Sequence, residues 1–287
     1  MNTTAASVCS SVSQQPSEEI LQAFHTYLKE QNLADATIVS YLFGVRFFFA
    51  HYQELTPDNL LLYKVWLLEH YKPQTVNARI RALNSFLRFC RKNNDFHIRS
   101  LRLQRKAYLD HVISQGDYEY FIRRLKEDGF RTFYFVVRFL AATGVRVSEL
   151  IRLQAEDIQR GYRDIYSKGG KMRRIYIPSR LQSEALNWLA EEGRSRGPLF
   201  LSHLGTRISA SGVRAQLKSL AIQYHLEPAV VYPHSFRHRF AKNFIENGGD
   251  LAFLSRLLGH DSIETTRIYL RRTSTEQARI LDQIVDW

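Results

Sequence analysis

The chain has 287 residues, and its 40 Lys and Arg against 28 Asp and Glu give a formal charge of +12 at pH 7. Apolar residues make up 45% and charged residues 24% of the chain, a balance typical of folded globular proteins that argues against long disorder. The length leaves room for two domains, and the positive charge predicts a polyanionic partner, above all nucleic acid.

Several classes of protein are excluded by the same inspection. Cys9 and Cys90 are too few for a disulfide framework, and neither has a spacing that would hold zinc. The most apolar segments are interrupted by Arg46, Lys64 or Arg138 and are shorter than the ~20 residues of a membrane span. Because the N-terminus has neither a basic start nor an apolar segment, it is not a secretory signal. We therefore expect a soluble, cytoplasmic protein.

The N-terminal part is predicted to be a small all-α domain. Residues 1–16 are rich in Ser, Thr and Gln and are expected to form a disordered leader. Apolar residues then recur at helical spacing in four segments, the first of which begins at Ser17. The other three helices are expected at residues 35–52, 56–70 and 74–92. We place this domain at residues 17–94 and a basic linker at residues 95–107.

A basic run covers the fourth predicted helix and the linker. Between Arg79 and Lys106 there are nine Lys or Arg and a single acid, Asp95. The run is either a solvated helix face with a charged linker or a surface that follows a phosphate backbone. The candidate DNA contacts, with two added from the second half of the chain, are Arg79, Arg81, Arg88, Arg91, Lys92, Arg102, Arg105, Lys106, Lys171 and Arg239.

The second half, residues 108–287, is predicted to be mostly helical with one small sheet. Strand-like segments at residues 164–167 and 172–177 flank Gly169 and Gly170, which tolerate the positive φ of a tight hairpin. Helices are expected at residues 114–127, 131–143, 148–153, 181–192, 211–224, 234–246, 250–257, 262–270 and 275–285. The fold class is therefore mostly α with a small β-sheet.

A lone arginine follows the predicted end of an apolar helix. Arg146 stands between Val145 and Val147, and Glu149 lies three residues later. A half-buried arginine needs a partner. Arg146 can form an ion pair with Glu149, or it can make a bidentate contact with a bound anion.

Four further residues have both a structural and a functional interpretation. His234 and Arg237 share one helix face, where a phosphate could join them, or they belong to a plain basic face. His260 follows Gly259 at a predicted helix end, a position that usually serves a structural hydrogen bond. Tyr269 comes nine residues later, and a tyrosine in an amphipathic helix is usually part of the core.

In their order and spacing, these motifs resemble the tyrosine recombinase (phage integrase) family, and most of all its short Xer-type members. The motifs are Ala-Thr-Gly-Val-Arg-Val-Ser-Glu-Leu, a lysine in a Gly-rich turn, His-x-x-Arg, Leu-Gly-His and a tyrosine nine residues on. The resemblance runs from about Ser17 to the end of the chain. It implies an all-α, SAM-like core-binding domain and a mixed α/β catalytic domain that close on DNA as a C-shaped clamp.

The resemblance also implies roles for individual residues. The catalytic set falls on Arg146, Lys168, His234, Arg237, His260 and Tyr269. Tyr269 would be the nucleophile, and Arg146, Arg237 and His260 would bind the phosphate oxygens. Lys168 would protonate the leaving 5′-oxygen, and it is preferred over Lys171 because it opens the Lys-Gly turn. His234 would accept or relay the proton of Tyr269, while Glu149 and Asp157 would orient Arg146.

The reaction implied is site-specific DNA recombination through a 3′-phosphotyrosyl intermediate and a Holliday junction, without ATP, a metal or another cofactor. The expected partner is duplex DNA with inverted half-sites, bound by four protomers of this chain or of this chain and a paralogue. The apolar stripe of the last helix would dock on its own domain or on a neighbour. The biological task would be dimer resolution or mobile-element integration and excision, in a nucleoid-associated bacterial protein.

Two alternatives remain open from the sequence. A type IB topoisomerase shares the same catalytic residue types but relaxes supercoils as a monomer. A DNA-binding regulator could keep the fold and lose catalysis, although all six catalytic positions are filled here. Two departures from the family pattern are Leu270-Arg271 after the tyrosine and Arg239, where a small residue is common.

Overall fold

The computed structural model describes residues 16–90, 97–103, 111–166, 172–260 and 262–270, and three positions close to the C-terminus. The chain divides into two compact units, Met1–Arg105 and Lys106–Trp287. Most of the predicted leader, the Gly169-Gly170 turn and nearly all of the predicted last helix lie outside the described residues.

The first unit contains four described helices, which agree with the predicted segments to within a few residues. They are α1 (Glu18–Glu30), α2 (Asp35–Phe49), α3 (Pro57–His70) and α4 (Pro73–Phe89). The hydroxyl of Ser17 accepts the amide of Ile20, and the hydroxyl of Thr56 accepts that of Asn59. These bonds satisfy amides that would otherwise be unpaired in the first turn of a helix.

The core of the first unit is rich in aromatic rings. Phe24, Phe48 and Phe86 are fully buried, and the rings of Phe24 and Phe86 meet edge to face at 5.1 Å. Helices α2 and α4 pack closely because Gly44 faces Ala82, where an added Cβ would lie 2.6 Å from the Ala82 methyl. A larger residue than glycine would push these two helices apart.

Two asparagines hold the extended segment 97–103 along α4. The amide of Asn84 both donates to and accepts from the backbone of Ile98, and Asn77 does the same with Leu101. Seven residues of helix rise by about 10.5 Å, and three residues of extended chain span about 10 Å. The two spacings match, so both side chains pair with the segment at once. The first part of the predicted linker therefore lies against the first unit.

The second unit is also mainly helical, with one two-stranded sheet. Its first elements are α5 (Gln115–Glu127), α6 (Arg131–Thr143), α7 (Val147–Leu150) and α8 (Ala155–Arg160). The strands β1 (Tyr162–Tyr166) and β2 (Met172–Tyr176) come next. The remaining elements are α9 (Ser179–Glu191), α10 (Ala210–Gln223), α11 (Pro233–Glu246), α12 (Leu251–Leu258), α13 (Ile263–Thr266) and a 3₁₀ helix, Arg267–Leu270.

The sheet is antiparallel, and its register runs from Tyr162 opposite Tyr176 to Tyr166 opposite Met172. The fold-class prediction of a mostly helical chain with a small sheet is confirmed. Helix α8 was not predicted, because its six residues are too short to show a helical period.

Two apolar clusters organise the second unit. The larger one includes the buried rings of Phe121, Trp188 and Phe236. A smaller one joins α11, α12 and the 3₁₀ helix through Ala241, Leu254, Leu258 and Tyr269. Tyr269 is thereby held against α12. Within the described part of the chain, no helix has the length and apolarity that a membrane span requires.

Candidate active site

The C-terminal end of α12 binds three arginines. Three consecutive backbone carbonyls each accept a hydrogen bond from a different guanidinium: Leu257 from Arg173, Leu258 from Arg237 and Gly259 from Arg146. The last carbonyls of a helix have no partner within the helix, and the helix dipole places partial negative charge there. This helix end therefore gathers cations that come from β2, α11 and the start of α7.

Arg146 is placed by the sharp end of α6. Gly144 ends that helix with a φ of +62°, and Arg146 then begins α7 in an extended conformation. Its amide donates to Glu149 Oε2 at 2.8 Å, and its Nη1 donates to Glu149 Oε1 at 3.1 Å. The ion pair that the sequence suggested is therefore present. Because its side chain is still 35% exposed, Arg146 can also contact a ligand.

Arg237 is the most deeply buried of the three arginines, at 2% exposure. It donates to the carbonyl of Gly144 at 2.5 Å and to that of Leu258 at 2.7 Å, and its Nη2 also lies 3.2 Å from His260 Nε2. Burial and the nearby charge of Arg146 lower the pKa of Arg237 to about 10. The guanidinium consequently remains charged at neutral pH.

Arg173 was not among the residues predicted from the sequence. It lies on β2 with a side chain that is 7% exposed, and its Nη2 pairs with Glu149 Oε2 at 2.5 Å. Gly259 is packed so tightly against it that an added Cβ would collide with the Arg173 side chain. Arg173 and Ile175 are both buried, as alternate residues on one face of a strand are. The position of Arg173 two residues before Ile175 on a predicted strand was the sequence signal that could have identified it as buried.

Glu149 connects two of the arginines. Burial would raise the pKa of its carboxyl group, but the hydrogen bond and charge of Arg173, together with Arg146, hold that pKa below its ordinary value. The carboxylate is therefore ionised at neutral pH. It pairs with Arg146 on one side and Arg173 on the other, and its role in orienting Arg146 stays a prediction.

His260 is neutral and its tautomer follows from its partners. Burial and the charges of Arg237 and Arg146 lower its pKa to about 4. Since a guanidinium can only donate, Nε2 must accept from Arg237. The ring hydrogen then resides on Nδ1, which donates to Thr266 Oγ1 at 2.8 Å. His260 is thus a neutral group held by hydrogen bonds at both nitrogens.

Tyr269 lies in the 3₁₀ helix and is only 4% exposed. Burial raises the pKa of its phenol, against the charge and hydrogen bond of Arg237, which lower it. The hydroxyl lies 3.0 Å from Nδ1 of His238, a residue that the sequence analysis did not select. His234, which was expected to serve the tyrosine, is exposed and lines a cavity beside Arg214 and Lys218.

Asp157 is not brought to Arg146. Its buried carboxylate accepts the amide of Gln154 at the start of α8 and forms ion pairs with Arg160 and Arg163. This geometry differs from the expectation that Asp157 orients Arg146, because α8 directs its first turn towards the start of β1. Asp157 is a local structural residue.

The candidate DNA contacts have different surroundings. Arg79 stacks on Phe43, with its guanidinium carbon 4.2 Å from the ring centre, and Arg239 donates to Gln115 at 2.5 Å. Other candidates, exposed in the structure, are Arg81, Arg88 and Arg102. The remaining predicted site residues lie outside the described residues: Arg91, Lys92, Arg105, Lys106, Lys168 and Lys171.

The described residues contain no group of three or more His, Cys, Asp or Glu that could hold a metal ion. The site is instead a cluster of arginines and neutral histidines around a buried tyrosine. Within the described residues, three guanidiniums are balanced by the single carboxylate of Glu149 at the core of the cluster. Such a cluster favours an anion with several oxygens.

Residues 112–276, more than half of the chain, match the model of the phage integrase family. The chain belongs to the phage integrase family. The predicted resemblance and the predicted enzyme class are thereby confirmed, and the chain is a tyrosine-type site-specific recombinase. The match includes all three arginines of the cluster, the half-buried His238 and His260, and Tyr269.

Relatives within the family match almost the whole chain. Tyrosine recombinase XerA of Pyrococcus furiosus is 28% identical over 93% of this chain and 96% of its own length. Tyrosine recombinase XerD of Oceanobacillus iheyensis is 28% identical over 90% of this chain and 94% of its own length.

Solved structures support the same fold. A XerA recombinase covers 94% of this chain and 99% of its own, with 25% identity and a TM-score of 0.53. A lambda integrase dimer bound to a core site reaches a TM-score of 0.69 at 16% identity, with 94% of this chain and 97% of that chain covered. XerH recombinase bound to its difH substrate has a TM-score of 0.65 at 18% identity, and the match covers 96% of this chain and 92% of that chain.

The half-buried histidines His238 and His260 predict a pH-dependent stability. Burial, His234 and Arg237 lower the pKa of His238 to about 4, and His260 has the same value, whereas the ordinary value is 6.5. Between these values the unfolded chain binds more protons than the folded chain. We therefore expect the free energy of unfolding to fall as the pH is lowered from 6.5 towards 4.

Urea unfolding at about pH 7 and about pH 5.5 measures this effect, because most carboxylates remain ionised in that interval. His238→Asn and His260→Asn should each weaken the dependence. His225→Asn replaces an exposed histidine with a positive φ, which asparagine tolerates, and serves as the control. Equal stability of the parent chain at the two pH values would contradict the prediction.

Proposed function

We propose that this recombinase cleaves DNA by attack of Tyr269 on a phosphodiester. The attack forms a 3′-phosphotyrosyl bond and frees a 5′-hydroxyl, and a 5′-hydroxyl from a second strand reverses the step and leads to a Holliday junction. Covalent catalysis of this kind divides one difficult step into two exchanges and conserves the energy of the bond. The observation that carries the proposal is the convergence of Arg146, Arg237, His260 and Tyr269 on one helix end.

The electrostatics of the site suit the transition state of this reaction. Negative charge grows on the non-bridging phosphate oxygens as the phosphorane forms. Arg146 and Arg237 would donate to those oxygens, with His260 held beside them by Thr266. Their positions are fixed by backbone carbonyls before any ligand arrives, so little reorganisation is required. Lys168, outside the described residues, is proposed to protonate the leaving 5′-oxygen.

The proposed partner is duplex DNA with inverted half-sites. The charge of +12, the exposed arginines of α4 and the DNA-bound relatives support this choice. We propose that four protomers assemble on two sites, either four copies or copies with a paralogue. The resemblance to Xer-type recombinases leads us to propose a bacterial protein that works at the nucleoid, in dimer resolution or in mobile-element movement.

Replacement of the nucleophile tests the proposal. Tyr269→Phe should abolish covalent DNA adducts while it leaves DNA binding intact, because only the attacking oxygen is removed. The measurement is incubation with sheared DNA of the host, denaturation in detergent and sequencing of the DNA that remains attached. Adducts at one site with inverted half-sites, absent from the variant, are the expected result.

Tyr224→Phe is the matched control, since Tyr224 is also 4% exposed but lies in the larger apolar cluster. It should retain the adducts of the parent chain. Loss of DNA binding in Tyr269→Phe would show that the role of the tyrosine is misassigned. Relaxation of supercoils by a monomer, without pairing of sites, would favour a topoisomerase instead.

A further inference from the structure

The nucleophile proposed above has an immediate neighbour that no assigned role explains. His238 lies on α11, one turn after His234 and directly after Arg237. Its Nδ1 is 3.0 Å from the hydroxyl of Tyr269, and the two ring centres are 5.6 Å apart. Tyr269 belongs to the small apolar cluster, which holds its ring in place.

We propose that His238 accepts the phenolic proton of Tyr269 when the tyrosine attacks DNA. The inference rests on the proposed function. In the balanced step, the bond between the Tyr269 oxygen and phosphorus forms and the bond between phosphorus and the 5′-oxygen breaks. The phenolic proton moves to Nδ1 of His238, and the leaving oxygen takes a proton from the general acid, for which Lys168 is proposed. The reverse step returns both protons.

The geometry fits a proton acceptor. A general base must lie within hydrogen-bond reach of the proton that it removes, and 3.0 Å between oxygen and nitrogen meets this condition. Arg237 is a neighbour that can only donate, so it can contact the phenolic oxygen but cannot take its proton. In the tautomer whose ring hydrogen is on Nε2, Nδ1 of His238 accepts the phenolic O–H, and this is the tautomer that the proposal requires. Because the pKa of His238 is lowered to about 4, its ring is neutral and able to accept at neutral pH.

His234 is less well placed for this task. It is exposed, its ring centre is 6.1 Å from that of His238, and it lines a cavity together with Arg214 and Lys218. These cations make the cavity suitable for a phosphate of the DNA backbone. His234 is thus better placed to donate to a phosphate than to remove the proton of Tyr269.

The test uses single-turnover cleavage of a nicked duplex that carries the site recovered by covalent capture. His238→Asn keeps an acceptor oxygen near the place of Nδ1 but removes the base, so cleavage should fall by ~10²–10⁴-fold. Replacement of Tyr269 by 3-fluorotyrosine, a more acidic phenol, should restore much of this loss. The same replacement in His234→Asn should restore no more than it does in the parent chain.

The fluorotyrosine readout separates proton transfer from simple positioning. Undiminished cleavage by His238→Asn would overturn the inference, and so would a loss that fluorotyrosine does not relieve. Thermal unfolding checks that each variant is folded, and His238→Gln replaces His238→Asn if the latter is not. If the parent chain itself forms no adduct, the proposed function has failed, and that result is distinct from failure of the role of His238.

Discussion

Arg237→Lys is expected to lower the rate of strand cleavage by ~10²–10³-fold, the usual effect of removing one well-placed donor to a developing oxyanion. The guanidinium of Arg237 reaches the carbonyls of Gly144 and Leu258 and the ring of His260 at the same time. A lysine ammonium is a compact point charge and cannot span these partners and a phosphate oxygen together. The variant keeps the positive charge at position 237 but loses the simultaneous contacts of the guanidinium.

Single-turnover cleavage measures the rate, and a binding assay on the same duplex should show a much smaller change. Arg138→Lys is the control, because Arg138 is a partly buried arginine that pairs with Glu184 at 3.0 Å but lies on α6, apart from the arginine cluster. It should cleave at nearly the parent rate. Cleavage by Arg237→Lys within a few-fold of the parent chain would argue against a direct contact between Arg237 and the phosphate.

Arg173→Ala is expected to reduce the free energy of unfolding by ~3–5 kcal/mol, the range observed when one partner of a buried ion pair is removed. Of its partners among the described residues, Glu149, which is largely buried, would keep Arg146 alone, and the carbonyl of Leu257 would lose its donor. Part of the loss should return in the double variant Arg173→Met with Glu149→Gln, because the buried carboxylate that Arg173 balanced is then removed as well.

Urea unfolding measures these free energies. Arg174→Ala is the control: the next residue on β2 points to the other face and pairs with Asp164 at the surface, so its replacement should have little effect. An Arg173→Ala variant as stable as Arg174→Ala would show that the buried pair contributes nothing to folding. An independent readout is the cleavage rate, which should also fall because Glu149, the partner of Arg146, is then held less firmly.

The sequence predicted those parts of the site that depend on local spacing. Gly144 and Gly259 mark helix ends, and Arg146, His260 and Tyr269 take their places from those ends. Arg173 and His238 escaped prediction because their significance depends on contacts between distant parts of the chain. Arg173 meets a carbonyl 84 residues away, and His238 meets a tyrosine 31 residues away. Neither distance produces a pattern in a single sequence.

The same contrast holds for the fold. The long helices were predicted because their apolar residues repeat over three turns or more. The pairing of Asn77 and Asn84 with segment 97–103 was not predicted, because an asparagine within a helical segment does not reveal which group its side chain binds. Asp157 is a further example. The family resemblance implied a role for this residue, but it could not show the ion pairs that the carboxylate forms here.

The three carbonyls at the end of α12 have a consequence for how this enzyme can vary. A helix advances by about 100° with each residue, so deletion of a single residue within α12 would turn all three carbonyls away from their arginines. Loss of a whole turn would shorten the helix by about 5.4 Å and roughly preserve their direction. The outer surface of α12 is free to change, whereas its residue count is fixed. Libraries that redesign this enzyme should therefore vary the composition of α12 and never its length.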